Sequence, residues 1–139
     1  MSAIATEEAC RLLRIAKADQ AACLALMNAP GVRFANAAFH GQQAVEKALK
    51  AVLTVRHANI GRTHNLLALV GQLAEVGEQA PVTEELLSLL NPYAVALRYD
   101  DIDVVLVSPQ AMRELVAAVI EWAQCIVTAS SGAAYDSQI

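Results

Sequence analysis

Side chains that could bind an anion recur along one stretch of the sequence, from Arg33 to His57. They follow one another at steps of three or four residues: His40, Gln43, Lys47 and Lys50. In a helix such steps place neighbours on one face. Lysine ammonium and glutamine amide groups donate hydrogen bonds that suit phosphate oxygens. The spacing therefore predicts a polar row able to bind phosphate, although the solvated face of an ordinary amphipathic helix explains the same pattern.

A second polar cluster, Arg62-Thr63-His64, comes just before a predicted short helix. The first backbone N–H groups of a helix point outward and favour an anion. Arg62, Thr63 and His64 could add side-chain donors to such a site. The alternative is that Thr63 merely caps the helix.

The third cluster, Arg98-Tyr99-Asp100-Asp101, ends a predicted helix after an apolar run. Arg98 is the side chain of this cluster that could contact an anionic group. The alternative is that it neutralises the negative C-terminal end of its helix and pairs with the nearby aspartates.

Helices must position these clusters. Between Arg33 and His57 an apolar stripe runs beside the polar row, which predicts an amphipathic helix with one buried face. Glu46 precedes Lys50 by four residues, the favourable order for an ion pair within a helix. Thr6 is a plausible N-cap for an earlier helix that ends near Asn28.

Later in the chain, capping residues and prolines divide the helical patterns. We expect a short helix over about residues 64–76, with Gly77 as its C-cap. Thr83 can cap a fourth helix that Pro92 kinks or divides. The residues DDIDVVLVS are typical of an extended connection, and Ser108-Pro109 starts a fifth helix. The predicted fold class is all-α, an up-and-down bundle of four main helices plus one short helix.

Composition and charge limit the classes of protein to which this chain can belong. The 139 residues suit one domain, which we place at 1–128, with a flexible C-terminal tail at 129–139. The net charge of −4 combines a net +4 over residues 1–64 with a net −8 over the rest, so an anion-binding surface remains possible. No uncharged apolar run reaches the roughly 18 residues of a membrane span, and the N-terminus does not resemble a secretory signal. We therefore expect a cytoplasmic protein.

The three cysteines, Cys10, Cys23 and Cys125, are widely separated within helical patterns. No histidine lies near them at metal-ligand spacing, and no glycine-rich nucleotide loop is present. These features favour buried free thiols rather than a disulfide framework or a zinc site. We expect no metal and no cofactor.

Three segments together resemble the HEPN domain (higher eukaryotes and prokaryotes nucleotide-binding). They are FANAAFHGQQAVEKALKAVL, RTHNLLALV and YAVALRYDD, and the resemblance covers roughly residues 8–128. It implies a helical bundle that commonly dimerises and often accompanies a small nucleotidyltransferase in a two-component system of toxin–antitoxin type. It also implies that Arg98 and Tyr99 belong with His40, Gln43, Lys47, Lys50, Arg62 and His64 as ligand-binding residues.

Some branches of this family are metal-independent ribonucleases with an arginine and a histidine late in the bundle. This chain has no histidine after His64, so that motif is absent. Two smaller departures are Asp100, where the family often has proline, and Asn65, where it often has aspartate. The sequence thus favours a non-catalytic homodimer that binds a nucleotide or RNA or docks on a nucleotidyltransferase. A toxin-type ribonuclease and a purely structural dimer are the alternatives.

Overall fold

The computed structural model describes residues 3–99 and 104–131, apart from the side chains of Ala96, Arg98 and Ser131. Within this part of the chain, the regular elements are six α-helices and a 3₁₀ turn. They are α1 (Ala3–Met27), α2 (Phe34–Val55), α3 (Leu66–Glu75), α4 (Glu84–Leu90), the 3₁₀ turn (Asn91–Ala94), α5 (Ala96–Tyr99) and α6 (Pro109–Ser131). The all-α bundle expected from the sequence is confirmed.

Helix α2 is the centre of the bundle, and it contacts α1, α3, the 3₁₀ turn, α5 and α6. Its apolar stripe is fully buried, including Ala38, Val45, Leu49 and Val52. Gly41 gives α1 and α6 room to approach, since a Cβ at this position would lie 2.6 Å from Met112 Sδ. Small side chains therefore let the two other long helices, α1 and α6, pack closely against α2.

The predicted helix boundaries hold for most of the chain. Thr83 Oγ1 accepts a hydrogen bond from Leu86 N, and Ser108 Oγ accepts one from Ala111 N, as expected of N-caps. Pro92 lies in the 3₁₀ turn that divides the fourth helical segment. Residues 104–108 form neither helix nor strand, whereas the beginning of the predicted connection lies outside the described residues.

Two sequence interpretations are wrong. Helix α1 begins at Ala3, so Thr6 is a helical residue rather than an N-cap, and its side chain is buried. Cys125 is exposed, unlike Cys10 and Cys23, because it falls off the apolar face of α6. Burial raises the pKa of the Cys23 thiol to about 11, which keeps that thiol protonated at neutral pH. Helix α6 continues to Ser131, and the rest of the predicted tail lies outside the described residues.

The described helices include none that is long and apolar enough to cross a membrane.

The ends of α2 and α3 share one capping geometry. After α2, the N–H groups of His57 and Ala58 donate to Thr54 O and Leu53 O. Gly77 and Glu78 repeat this pattern after α3, where the C-cap is Val76 and the predicted Gly77 is the left-handed residue that follows it. The first residue of each pair has a positive φ, +58° at His57 and +79° at Gly77. Glycine adopts this conformation without steric cost, whereas histidine does not.

We predict that His57→Gly stabilises the protein by about 0.5–1 kcal/mol, because it relieves the left-handed strain at the end of α2. The urea midpoint of unfolding measures the effect. His57→Ala is the matched control, since it removes the imidazole but keeps the Cβ, and it should give no such gain. Equal stabilisation by both variants would show that the side chain, not the backbone conformation, is responsible.

Candidate functional site

A buried carboxylate on α2 organises the polar side chains of the site. The Glu46 side chain has no solvent exposure. Its Oε2 lies 3.0 Å from Lys50 Nζ, 3.4 Å from Lys47 Nζ and 3.0 Å from His64 Nδ1. Its Oε1 accepts a 3.3 Å hydrogen bond from Gln42 Nε2. The predicted Glu46–Lys50 ion pair is therefore confirmed, but it is one contact of a larger group.

We call this group the Glu46 cluster and define it as Gln42, Gln43, Glu46, Lys47, Lys50 and His64. Two opposing effects act on the pKa of Glu46. Burial raises it, whereas hydrogen bonds from His64 and Lys50 and the charges of Lys47 and Lys50 lower it. The lowering effects prevail, so the pKa lies below its ordinary value of about 4.5 and Glu46 is ionised at neutral pH.

The two glutamines hold the cluster together from within. Gln42 is fully buried, and its Nε2 also donates to the backbone oxygen of His64 at 3.3 Å. Gln43 donates to Gln42 Oε1 at 2.6 Å and accepts from Lys47 Nζ at 3.1 Å. Both ends of the Gln43 amide are thus engaged within the protein. Gln43 therefore contacts Lys47 within the polar row, and its predicted role as a ligand-binding residue stays a prediction.

His64 presents one ring nitrogen to the protein. Its side chain is 68% exposed, although its Nδ1 touches both oxygens of buried Glu46. An ionised carboxylate only accepts hydrogen bonds, so Nδ1 must carry a proton. In the neutral imidazole the remaining nitrogen, Nε2, is then an acceptor, and in the imidazolium it is a donor.

The loop that carries His64 is fixed by asparagines rather than by Thr63. Asn65 caps α3, because its Oδ1 accepts from Leu67 N at 2.9 Å. Asn91 Oδ1 accepts from Leu66 N, and Thr63 Oγ1 accepts from Asn65 N. Three N–H groups at this helix start are therefore used within the protein. An anion near His64 would depend on side chains, not on the free N–H groups that the sequence suggested.

The remaining predicted site residues are placed less closely together. His40 Nδ1 lies 2.9 Å from Asp19 Oδ1 of α1, so its ring is engaged with a different helix from the Glu46 cluster. Arg62 is exposed in the loop two residues before His64, and Tyr99 is 73% exposed at the end of α5. The side chain of Arg98 lies outside the described residues.

The sequence analysis assigned no role to three polar residues: Gln42, Asp19 and Asn91. Gln42 precedes Glu46 by four residues, so helical spacing could have placed it beside the carboxylate. Asp19 and Asn91 contact residues more than 20 positions away, at His40 and Leu66. No local pattern reveals such pairs, because folding alone brings them together.

Across the described residues, no group of three or more His, Cys, Asp or Glu side chains is arranged to hold a metal ion. The chemistry available at the Glu46 cluster is instead electrostatic. Two ammonium groups and an imidazole surround one negative charge, which leaves a positive excess where the lysines reach the surface.

We predict that Glu46→Gln costs about 2–3 kcal/mol at pH 7, because three nitrogen groups lose a buried anion although the lysines can still turn to water. A depressed pKa stabilises the folded state above the ordinary value near 4.5, and this stabilisation is lost as pH falls through the folded value. The difference between wild type and variant should therefore shrink in acid. Urea unfolding at pH 7 and pH 3 measures it.

Glu8→Gln is the matched control. Glu8 also pairs with a cation, Arg11, but its side chain is 43% exposed. Water screens such pairs, and we expect a cost of about 0.5 kcal/mol or less. A Glu46→Gln cost as small as this would contradict the assignment of Glu46 as a buried, charged centre.

Comparison with known proteins identifies a family for nearly the whole chain. The family profile described as HEPN domain matches residues 9–130. No curated protein and no solved structure matches the chain in the corresponding searches. The family match covers α2, α3 and their connecting loop, which supply every residue of the Glu46 cluster. It agrees with the resemblance seen in the sequence, and the chain belongs to the HEPN domain family.

Proposed function

We propose that this HEPN domain binds a phosphate-bearing ligand such as a nucleotide, and that the Glu46 cluster is where the phosphate binds. The observation that supports the proposal most directly is the convergence of Lys47, Lys50 and His64 on one buried carboxylate. Glu46 holds these side chains in place. Ligand binding therefore loses less conformational entropy than it would if three flexible side chains had to become ordered.

The lysines retain donors for a ligand. Each ammonium group carries three N–H donors. Among the described contacts, Lys50 uses one on Glu46, and Lys47 uses two, on Glu46 and Gln43. The side chains of Lys50 and Lys47 are 16% and 21% exposed, so both keep some contact with solvent. Arg62 adds a further positive charge from the adjacent loop.

The protein-level proposals rest on the family resemblance and on exposed apolar residues. We propose a homodimer, because Val95, Tyr99 and Val105 leave large fractions of their side chains exposed, 63%, 73% and 53%. A small nucleotidyltransferase is the partner that the resemblance implies. Sedimentation mass tests the first proposal, and co-purification with a nucleotidyltransferase encoded next to this chain tests the second.

A ribonuclease is the second candidate function, and the Glu46–His64 pair is the observation that favours it. A buried carboxylate on Nδ1 fixes the tautomer in which Nε2 accepts a proton, the arrangement used by histidine general bases. His64 would remove the proton from a ribose 2′-hydroxyl, and Arg62 would stabilise the negative charge that develops on phosphorus-bound oxygens.

We predict that Lys47→Ala combined with Arg62→Ala weakens ATP binding about tenfold or more and reduces its dependence on salt, because two charge contacts are lost. Calorimetric titration of wild type and variant at two salt concentrations measures this. The fold should survive, since Lys47 makes the longest contact to Glu46 and Arg62 is exposed. Circular dichroism checks that it does.

The matched control is Arg14→Ala combined with Arg113→Ala, which removes the same charge from exposed positions on α1 and α6. It should leave ATP affinity nearly unchanged. Equal binding by all three proteins would rule out the Glu46 cluster as the ATP site, and no binding by any would favour a purely structural dimer. The same titration with a short RNA tests the second candidate. Cleavage that disappears in His64→Ala and with a 2′-deoxy substrate would make the ribonuclease the better reading.

A further inference from the structure

The charge of the Glu46 cluster depends on one proton. Glu46 is ionised, and Lys47 and Lys50 are both cations within 3.4 Å of it. With His64 neutral, these groups carry a net charge of +1. Protonation of His64 raises the net charge to +2. Histidine is the side chain that ordinarily changes its charge between pH 5 and pH 8.

The added charge would lie beside the lysines. Lys50 Nζ and His64 Nδ1 each lie 3.0 Å from the same oxygen, Glu46 Oε2, so the two nitrogens are at most about 6 Å apart. Opposite charges within roughly 4–6 Å change a titration by about 1–3 pH units. An anion held by the lysines is therefore close enough to favour the imidazolium.

The surroundings of His64 contain few other titratable groups. Among the described residues, Glu46, Lys47 and Lys50 face it from α2, and Arg62 shares its loop. The junction of α4 and the 3₁₀ turn contributes Asn91, which contacts the neighbouring Asn65 and does not titrate. Among these described groups, the imidazole is the one whose side-chain chemistry ordinarily includes a change of charge near neutral pH.

We infer that the Glu46 cluster selects a doubly charged oxyanion, such as a terminal phosphate, over a singly charged phosphodiester by taking up a proton on His64. This inference rests on the proposed phosphate site and specifies its ligand class. At the same distance, a dianion is attracted to the added charge about twice as strongly as a monoanion, so it gains more from the proton. His64 Nε2 then becomes a donor to the ligand instead of an acceptor.

Sulfate and methyl sulfate separate charge from shape, because both are tetrahedral oxyanions and neither titrates near neutral pH. The probe is the pH titration of His64, followed by NMR of its Cε1–H signal. Chloride keeps the ionic strength constant. We expect saturating sulfate to move the His64 titration midpoint upward by about one pH unit, and methyl sulfate to move it much less. His40 and His57 are internal controls whose midpoints should stay in place.

Sulfate affinity gives an independent check. By linkage, a midpoint rise of one unit means that protonated His64 binds sulfate about tenfold tighter than neutral His64. Wild type should therefore bind sulfate several-fold tighter at pH 6 than at pH 8. His64→Asn should lose this gain, so its sulfate affinity should change much less between pH 6 and pH 8, because the asparagine amide can donate to Glu46 but does not titrate.

The outcomes distinguish this inference from the proposed function. ATP binding that depends on Lys47, together with a His64 midpoint that sulfate leaves unchanged, overturns the inference and preserves the phosphate site. Equal midpoint shifts with sulfate and methyl sulfate also overturn it. If neither ATP nor sulfate perturbs Lys47, Lys50 or His64, the proposed function and the inference both fail.

Discussion

The structure depends on the burial of one charge. A carboxylate without solvent contact is costly unless hydrogen bonds and cations replace the water it has lost. Glu46 obtains them from three of its own helix neighbours and from His64, which comes from the loop before α3. Because His64 lies 18 positions further along the chain, satisfying the carboxylate also fixes where that loop lies on α2. The site and the helix packing are therefore stabilised by the same contacts.

Polar contacts continue from this loop into the second half of the chain. Asn65 Oδ1 accepts from Asn91 Nδ2 at 3.0 Å, which joins the start of α3 to the 3₁₀ turn. In that turn, Tyr93 is fully buried, and its hydroxyl donates to Val104 O and accepts from Leu106 N. Pro92 interrupts the helix at the point where these contacts are made. The broken fourth helix thus serves to bring the later segments against the loop that carries His64.

The sequence predicts those structural features that depend on residues close to one another along the chain. Helical periodicity defined α2, local capping residues defined the starts of α4 and α6, and the spacing of Glu46 and Lys50 predicted their ion pair. The prediction that Thr6 is an N-cap was wrong because the residues before it also form helix and include no stop signal. The helix therefore begins earlier, at Ala3. His40 and His64 have the same side chain, but their surroundings differ, because His40 contacts Asp19 and His64 contacts Glu46. Only the folded chain determines which carboxylate each histidine meets.

The inferred selection of a dianion and the cleavage of RNA require His64 in opposite charge states, and this gives the Glu46 contact its significance. A general base must be neutral so that Nε2 can accept a proton, whereas a partner for a terminal phosphate is best protonated. Glu46 accepts a hydrogen bond from Nδ1 in either charge state of the ring, and a bound dianion would favour the imidazolium. Each anion that binds the lysines tightly would thereby remove the base that cleavage needs. A dianion-binding site and a ribonuclease would therefore place opposite demands on the same imidazole.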